Sequence, residues 1–421
     1  MIVIVGGGIS GLAVAHHLVR RGTDVRLFEA GTEFGGVMRS RVVEGRVLDL
    51  GPQRTRLTSD VRELVEGAGL GDRLMRARGD LPLFVYRRGR LRRAPLSLGA
   101  AVTTDLFGWG AKLRALVEPL TGGPREGESV EAFFVRKFGR EVYEALLGPL
   151  YGGLYASDPA RMKVGHGLAR TLREMGAEEG SLLLRLARRG AAARRAVEAI
   201  SFEAGMGALP AALARRLGDR ARAASPVTAR EPAAAGGWEV TAGGEAVRAR
   251  AVVLAAPADA VAAILPPSAR NASRRLASLR YNPLAVVHLH ADASGLEGFG
   301  YQVAFGESLE TRGVTWNASI FGRDGVFTAY LGGMANPGIV EEDDERLGRL
   351  AAAEFETVTG RPARPLLVSR LRQPAWDATW DALDGLDLPP DLHPCAAWYA
   401  RPGVPGRAKD ARALAARLAG G

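Results

Sequence analysis

The chain has 421 residues with 47% hydrophobic side chains, enough to bury two or three cores, and reads as a multi-domain globular protein. Its net charge of +10 rests on 56 basic residues, of which four (Lys112, Lys137, Lys163, Lys409) are lysine, but interspersed acids and only 6% aromatics argue against a nucleic-acid face. The single Cys395 excludes an intrachain disulfide or a cysteine metal site, and with no secretory start and no apolar run near the roughly 18 residues that span a bilayer, a cytoplasmic protein is expected, at most resting on a membrane.

The first five residues, "MIVIV", read as a buried parallel strand, after which Gly6-x-Gly8-x-x-Gly11 opens a helix with Leu12, Ala15 and Leu18 at helical spacing. Gly22 ends that helix, and "DVRLFEA" supplies a second strand closing on Glu29. The glycines permit a tight turn and close approach of a pyrophosphate to a helix N-terminus, whose free N–H groups carry about half a positive charge. Glu29, 18 residues past Gly11, is placed to accept hydrogen bonds from ribose hydroxyls. Together these predict a dinucleotide site. FAD is favoured over NAD by Gly35-Gly36 and by "VLDLGPQRTR" (47–56), which resemble the opening of the flavin-dependent amine oxidase superfamily.

Further along, "YRRGRLRR" (86–93) and "RLARRGAAARR" (185–195) are dense in arginine, either as solvated faces or as attractors of a carboxylate-rich substrate or an anionic lipid. The segment 95–197 has helical period, and its stretch 181–200 reads either as a membrane-lying helix or as one packed on the protein's own core. "PVTAREP" and "WEVTAGGEAVRAR" suggest a small antiparallel ribbon, "ARAVVLAAPADAV" a return to the nucleotide fold, "LAVVHLH" and "VFTAYLGG" strands of another sheet, and the last thirty residues strand, turn and helix. His288 and His290 alternate along one strand and read as structural; no histidine–carboxylate cluster suggests a metal. The fold class expected is α/β, in multi-domain α+β form. A discontinuous Rossmann-like FAD-binding domain (1–78, 198–261, 368–421) would carry a mixed-sheet substrate domain (79–94, 262–367) and a helical insertion (95–197).

Several stretches taken in order resemble the protoporphyrinogen and coproporphyrinogen oxidases: "FGGVMRS", "LGPQRTRL", "ESVEAFFVRKFGREVYEALLGPLYGGLYASDPARM", "GSLLLRL", "FEAGMGALPAALARRL" and "GFGYQVAFGESLETRGVTWNASIFGRD". The resemblance implies FAD contacts at Gly6, Gly8, Ile9, Ser10, Gly11, Glu29, Ala30, Gly36 and Val37, and at Gly51, Pro52, Gln53 and Arg54 beside the ring system. It further implies contacts at Val227, Trp380, Pro402, Gly403 and Val404, with substrate contacts at Leu83, Val303 and Phe321. For Trp380, Val303 and Phe321 an ordinary core position is the competing reading. The activity implied is oxygen-dependent oxidation of a porphyrinogen to the porphyrin in haem synthesis, with no acid–base residue assigned. The implied partners are the porphyrinogen and oxygen, with no nucleic acid; peripheral membrane contact and a homodimer stand as further options.

The chain departs from the pattern at Leu83, where relatives carry an arginine that pairs a substrate propionate, leaving Arg87 or Arg88 as replacements. It departs again at Ala397, Arg401 and Asp410-Ala411 in the C-terminal flavin motif, and in "AWDATW" around Trp380. An amine oxidase, which usually needs a lysine near the flavin, a carotenoid-type desaturase and a non-catalytic relative with weakened flavin binding are the alternatives.

Overall fold

The computed structural model describes residues 1–79, 81–176, 180–189, 198–233, 236–399 and 402–420. Ile2–Val5 (β1) is buried along its whole length, as a strand covered on both faces must be. Through Gly6–Gly8 it runs into helix Ile9–Val19 (α1), and Val25–Phe28 (β2) returns parallel to β1 with Ile2 opposite Val25. Ala251–Leu254 pairs with the other side of β1, Leu392–Pro394 lies beyond it, and Ala221–Arg222 flanks β2, giving five parallel strands from widely separated stretches. One face of this sheet is covered by α1, helix Ala208–Leu217 and the terminal helix Val404–Ala419, with Leu12, Leu18, Leu213 and Leu414 in their shared core. The other face packs against a three-stranded antiparallel meander, Val227–Pro232, Trp238–Ala242 and Glu245–Ala249.

A second, seven-stranded sheet runs in the order Ala363–Pro374, Tyr281–Ala291, Val326–Gly332, Thr311–Thr315, Gly300–Val303, Leu83–Arg87, Arg90–Arg93. Strand residues alternate between faces. Tyr301, Val303, Val314, Phe327 and Leu331 therefore share an outer apolar layer with Leu347, Ala351 and Phe355 of helix Asp344–Thr359. The alternate residues His288, Thr328 and Ser369 turn inward, where they meet Asp49, Gln53 and Leu50 of the nucleotide-binding part. The boundary expected between 367 and 368 falls inside strand Ala363–Pro374, which pairs along its whole length with Tyr281–Ala291.

Between strand Arg90–Arg93 and strand Ala199–Phe202 the described residues are mostly helical, as the period predicts, with a π-helical turn at Tyr143–Leu147 that no sequence signal announces. Residues 190–197, including much of the second arginine-dense patch, lie outside the described residues. Among the described residues no helix is long and apolar enough to cross a membrane. Most of the large apolar side chains exposed in this region fall in one stretch of the chain, at Leu96, Leu98, Val102, Trp109, Leu113, Leu116, Val117 and Leu120, with Leu154 and Leu184 exposed further on.

Candidate active site

At the C-terminal edge of the five-stranded sheet, the elbow between β1 and α1 is built for close packing. Gly6 has φ +110°, and a Cβ on Gly11 would collide with the Gly6 carbonyl oxygen. A Cβ on Gly8, by contrast, would meet nothing within 4 Å. The first α1 hydrogen bond across this elbow is from the Leu12 N–H to the Gly8 carbonyl, and α1 has no side-chain N-cap, so the N–H groups of Ile9, Ser10 and Gly11 meet no acceptor among the described residues. Free donors at a helix N-terminus beside open space form a cradle of the size and charge that a pyrophosphate needs. Gly36, at φ +60°, stands directly across from Gly8, and Val37 is exposed at the rim.

Glu29 follows β2 with its carboxylate fixed by the Gly7 N–H at 2.6 Å and the Gly31 N–H at 2.8 Å. Each oxygen keeps lone-pair capacity for a ribose hydroxyl. Ala30 is exposed beside it, and Ser225 and Ala224 bond the backbone of this turn, leading into half-buried Val227. The residues present thus fit an FAD: the elbow offers its donors to phosphate and Glu29 its acceptors to ribose.

The loop Leu50–Arg54 joins this cradle to the inner face of the second sheet. Gly51 lies so close to the Val37 carbonyl that any side chain would clash, and Pro52 is half-buried beside it. Gln53 is buried; its amide donates to Asp49 O at 2.6 Å and Gly51 O at 2.9 Å, while its oxygen accepts from Asn317 Nδ2 at 2.8 Å and Thr328 Oγ1 at 3.2 Å. The Gln53 side chain is therefore spent on the protein and clamps the loop to the substrate sheet. Asp49 is buried too, which pushes its carboxyl up despite bonds from Ser40 Oγ and the Met206 N–H. His288 Nε2 lies 3.0 Å from Asp49 O, and burial lowers its pKa to about 4, so it stands neutral with its proton on Nε2. It is structural, as its alternation suggests.

Arg54 differs from its neighbours. Its guanidinium carbon stands 5.2 Å from the centroid of the Phe299 ring, and no hydrogen bond or ion pair reaches it among the described residues. Burial lowers its pKa, with Tyr330 the one neighbour acting in the opposite direction.

The expected substrate residues separate on inspection. Leu83 is half-buried and packs against the core that joins the helical region to the nucleotide-binding sheet. Phe321 is 7% exposed in a small cluster with Leu81 and Ile320, bordered by Phe299. Val303 is corrected: it is 2% exposed in the outer layer under helix Asp344–Thr359, because its strand presents Gln302 to the inner face, so it is sheet core. Arg87 donates to the Leu106 carbonyl and pairs with Glu141 at 3.3 Å, so its charge is already matched, while Arg88 is exposed on a turn where its backbone N–H donates to Glu307.

Trp380 is 2% exposed, stacked on Trp376 with centroids 5.3 Å apart, and its indole N–H donates to Trp398 O at 3.1 Å. Trp398 in turn donates to Ala256 O at 3.0 Å, beside the backbone against which Gly6 packs. Trp380 thus supports the floor of the cradle from behind. Pro402 and Gly403 lead into the terminal helix with Gly403 at φ +83°, while the side chain of Val404 is buried in the sheet core. Arg401 lies outside the described residues. Ala411 is fully buried in that core and Lys409 is exposed.

A discontinuous parallel sheet with a glycine elbow, joined to a second sheet by a clamped loop, defines an FAD-dependent oxidoreductase. The chain belongs to the flavin containing amine oxidoreductase family, whose model matches residues 9–381. Its curated relatives are protoporphyrinogen oxidases. The spinach chloroplast protein is 28% identical over 86% of this chain and 71% of its own length. The rice chloroplast protein is 30% identical over 82% and 72%, and the human protein 29% over 76% and 73%. Among solved structures, a putative protoporphyrinogen oxidase from Exiguobacterium superposes with a TM-score of 0.82 over 99% of this chain and 98% of its own, at 22% identity. A putrescine oxidase variant gives 0.74 over 100% and 99%, at 19% identity.

Sequence reasoning missed the inner-face network of Asn317, Thr328 and Tyr330, and the exposed apolar run at Leu96–Leu120. The alternation of "VFTAYLG" signals the first. The second shows in the sequence as leucine, valine and tryptophan spread through a stretch with only four charged residues, Asp105, Lys112, Arg114 and Glu118.

Proposed function

We propose that this flavoenzyme oxidises a porphyrinogen, either protoporphyrinogen IX or coproporphyrinogen III, to the porphyrin, with molecular oxygen as final acceptor. The observation that carries this reading is the similarity to protoporphyrinogen oxidases over more than four-fifths of the chain. The lysines also support it. Lys137 is bound to Glu118, Lys163 to Asp381 and Lys112 to the Val102 carbonyl, and Lys409 is exposed, so none takes the place near the flavin that an amine oxidase needs.

The chemistry that FAD supplies when bound is acceptance of a hydride, renewed by oxygen. The chain's own part is to hold and orient. The α1 N–H groups and Glu29 fix the dinucleotide, the Gln53 clamp sets the distance between its loop and the inner sheet face, and the buried rows around Asn317 and Thr328 keep water out. No side chain is needed as a strong base, because extension of conjugation drives the loss of protons to solvent, and His288 donates to Asp49 O rather than toward a substrate. Peripheral contact with a lipid surface through the apolar run Leu96–Leu120 belongs to the same proposal, since an apolar helical surface bearing Lys112 suits an anionic interface.

The test is oxygen consumption and porphyrin fluorescence with both porphyrinogens on flavin-replete protein. Turnover of at least one is expected. Turnover of neither, with flavin still bound, overturns the substrate while leaving the family intact.

A further inference from the structure

A guanidinium stays charged at every physiological pH, so a desolvated one without a counter-charge is costly and draws an anion. Most partly buried arginines of this chain are satisfied: Arg323 bonds Ser201 Oγ and Phe202 O, Arg136 pairs with Glu128, and Arg87 with Glu141. Arg54 is not. It projects from the clamped loop toward the inner face of the second sheet, where it meets the ring of Phe299 and lies near Tyr330. The Tyr330 hydroxyl shares a hydrogen bond of 3.3 Å with Thr315 Oγ1, which holds it in place and leaves it able to donate to a further acceptor. The half-buried Phe299 ring, backed by the buried cluster of Leu81, Ile320 and Phe321, gives this place an apolar flank.

We propose that Arg54, assisted by the Tyr330 hydroxyl, is the group that recognises a carboxylate of the substrate and thereby determines specificity for acidic macrocycles. This rests on the porphyrinogen reading above and deepens it. The arrangement is pre-organised: Gln53, the preceding residue, is held by four hydrogen bonds, to Asp49 and Gly51 beside it, to Asn317 and to Thr328 of the second sheet, so the loop loses little freedom on binding. It also accounts for carboxylate recognition where Leu83 carries no charge and Arg87 is paired with Glu141. A planar fork of donors beside a phenol hydroxyl matches the two oxygens of a carboxylate.

The test uses flavin-loaded wild type, R54M, R54K and Y330F, titrated with coproporphyrin III and separately with its tetramethyl ester, with binding read by porphyrin fluorescence. Loss of a charge-assisted pair predicts that R54M binds the free acid about 10- to 100-fold more weakly and the ester unchanged. R54K should recover part of the acid affinity, and Y330F should weaken the acid alone by about 5-fold. Because Arg54 has no hydrogen-bond or ion-pair partner among the described residues and the methionine side chain keeps its apolar contact with Phe299, R54M should unfold at a temperature close to that of wild type. Equal loss for acid and ester, no loss for either, or an altered flavin spectrum with unchanged acid binding would each overturn the assignment. If wild type itself binds neither porphyrin and oxidises neither porphyrinogen, the substrate reading fails and this inference falls with it, a result distinct from wild-type binding that survives R54M.

Discussion

Gly11 shows how one missing methyl group can decide a cofactor site. A Cβ there would press on the Gly6 carbonyl, and that contact is backbone to backbone, so no rotamer relieves it. Gly11→Ala should cost about 1–3 kcal/mol and leave purified protein with a markedly reduced share of bound flavin, read from its visible absorbance. Asn317→Ala removes one of the two donors to Gln53 Oε1, leaving Thr328, and so loosens the loop, and a loss of about 1–3 kcal/mol in denaturant unfolding is expected. At this scale the glycines and Glu29 were legible because their spacing is local and each has one physical reason. Val303 was not. Alternation says that Gln302 and Val303 face opposite ways, yet only the position of helix Asp344–Thr359 says which of the two faces is core.

Among elements, the helical region rests on a buried ion pair. Lys137 and Glu118 are both fully buried at 2.8 Å, and Glu118 also accepts from Ser181 Oγ and from the N–H groups of Leu182 and Leu183, so it caps helix Leu182–Arg189. Burial pushes the Glu118 carboxyl up, but Lys137, Ser181 and the Leu182 N–H together hold it below its usual value. Its contribution is therefore complete above the ordinary glutamate pKa of about 4.3 and is lost as pH falls through the lower folded value. Lys137→Met leaves the carboxylate unpaired and should cost about 3–5 kcal/mol in thermal or denaturant unfolding, whereas replacing both partners by apolar residues should cost much less. The exposed run from Leu96 to Leu120 belongs to this scale too. Leu113→Ser with Leu116→Ser should reduce sedimentation with anionic vesicles and leave the flavin spectrum unchanged; unaltered sedimentation would remove the lipid contact.

For the whole molecule, acid sensitivity follows from histidines buried in both sheets' surroundings. Burial, with His17 beside it, lowers His16 to about 4, and burial lowers His288 to about 4, from an ordinary value of 6.5. Between those values the unfolded chain binds protons that the folded one refuses, so stability falls as pH falls, by about 1.4 kcal/mol per pH unit for each histidine. Relative to H16Q/H288Q, the wild type should therefore lose more stability between pH 7 and pH 5, by on the order of a few kcal/mol in urea titration; the same pH dependence in both proteins would refute the neutral burial of the two rings.

The βαβ unit, its glycine elbow and the acid after β2 were determined by the sequence alone, since strand, turn, helix dipole and acceptor lie within the first thirty residues and need no distant partner. What the tertiary structure decided is the substrate side. Arg54, Phe299 and Tyr330 come from distant parts of the chain, and whether a cation there is paired or free depends on which strands fold across it. Local pattern carries no information about that juxtaposition.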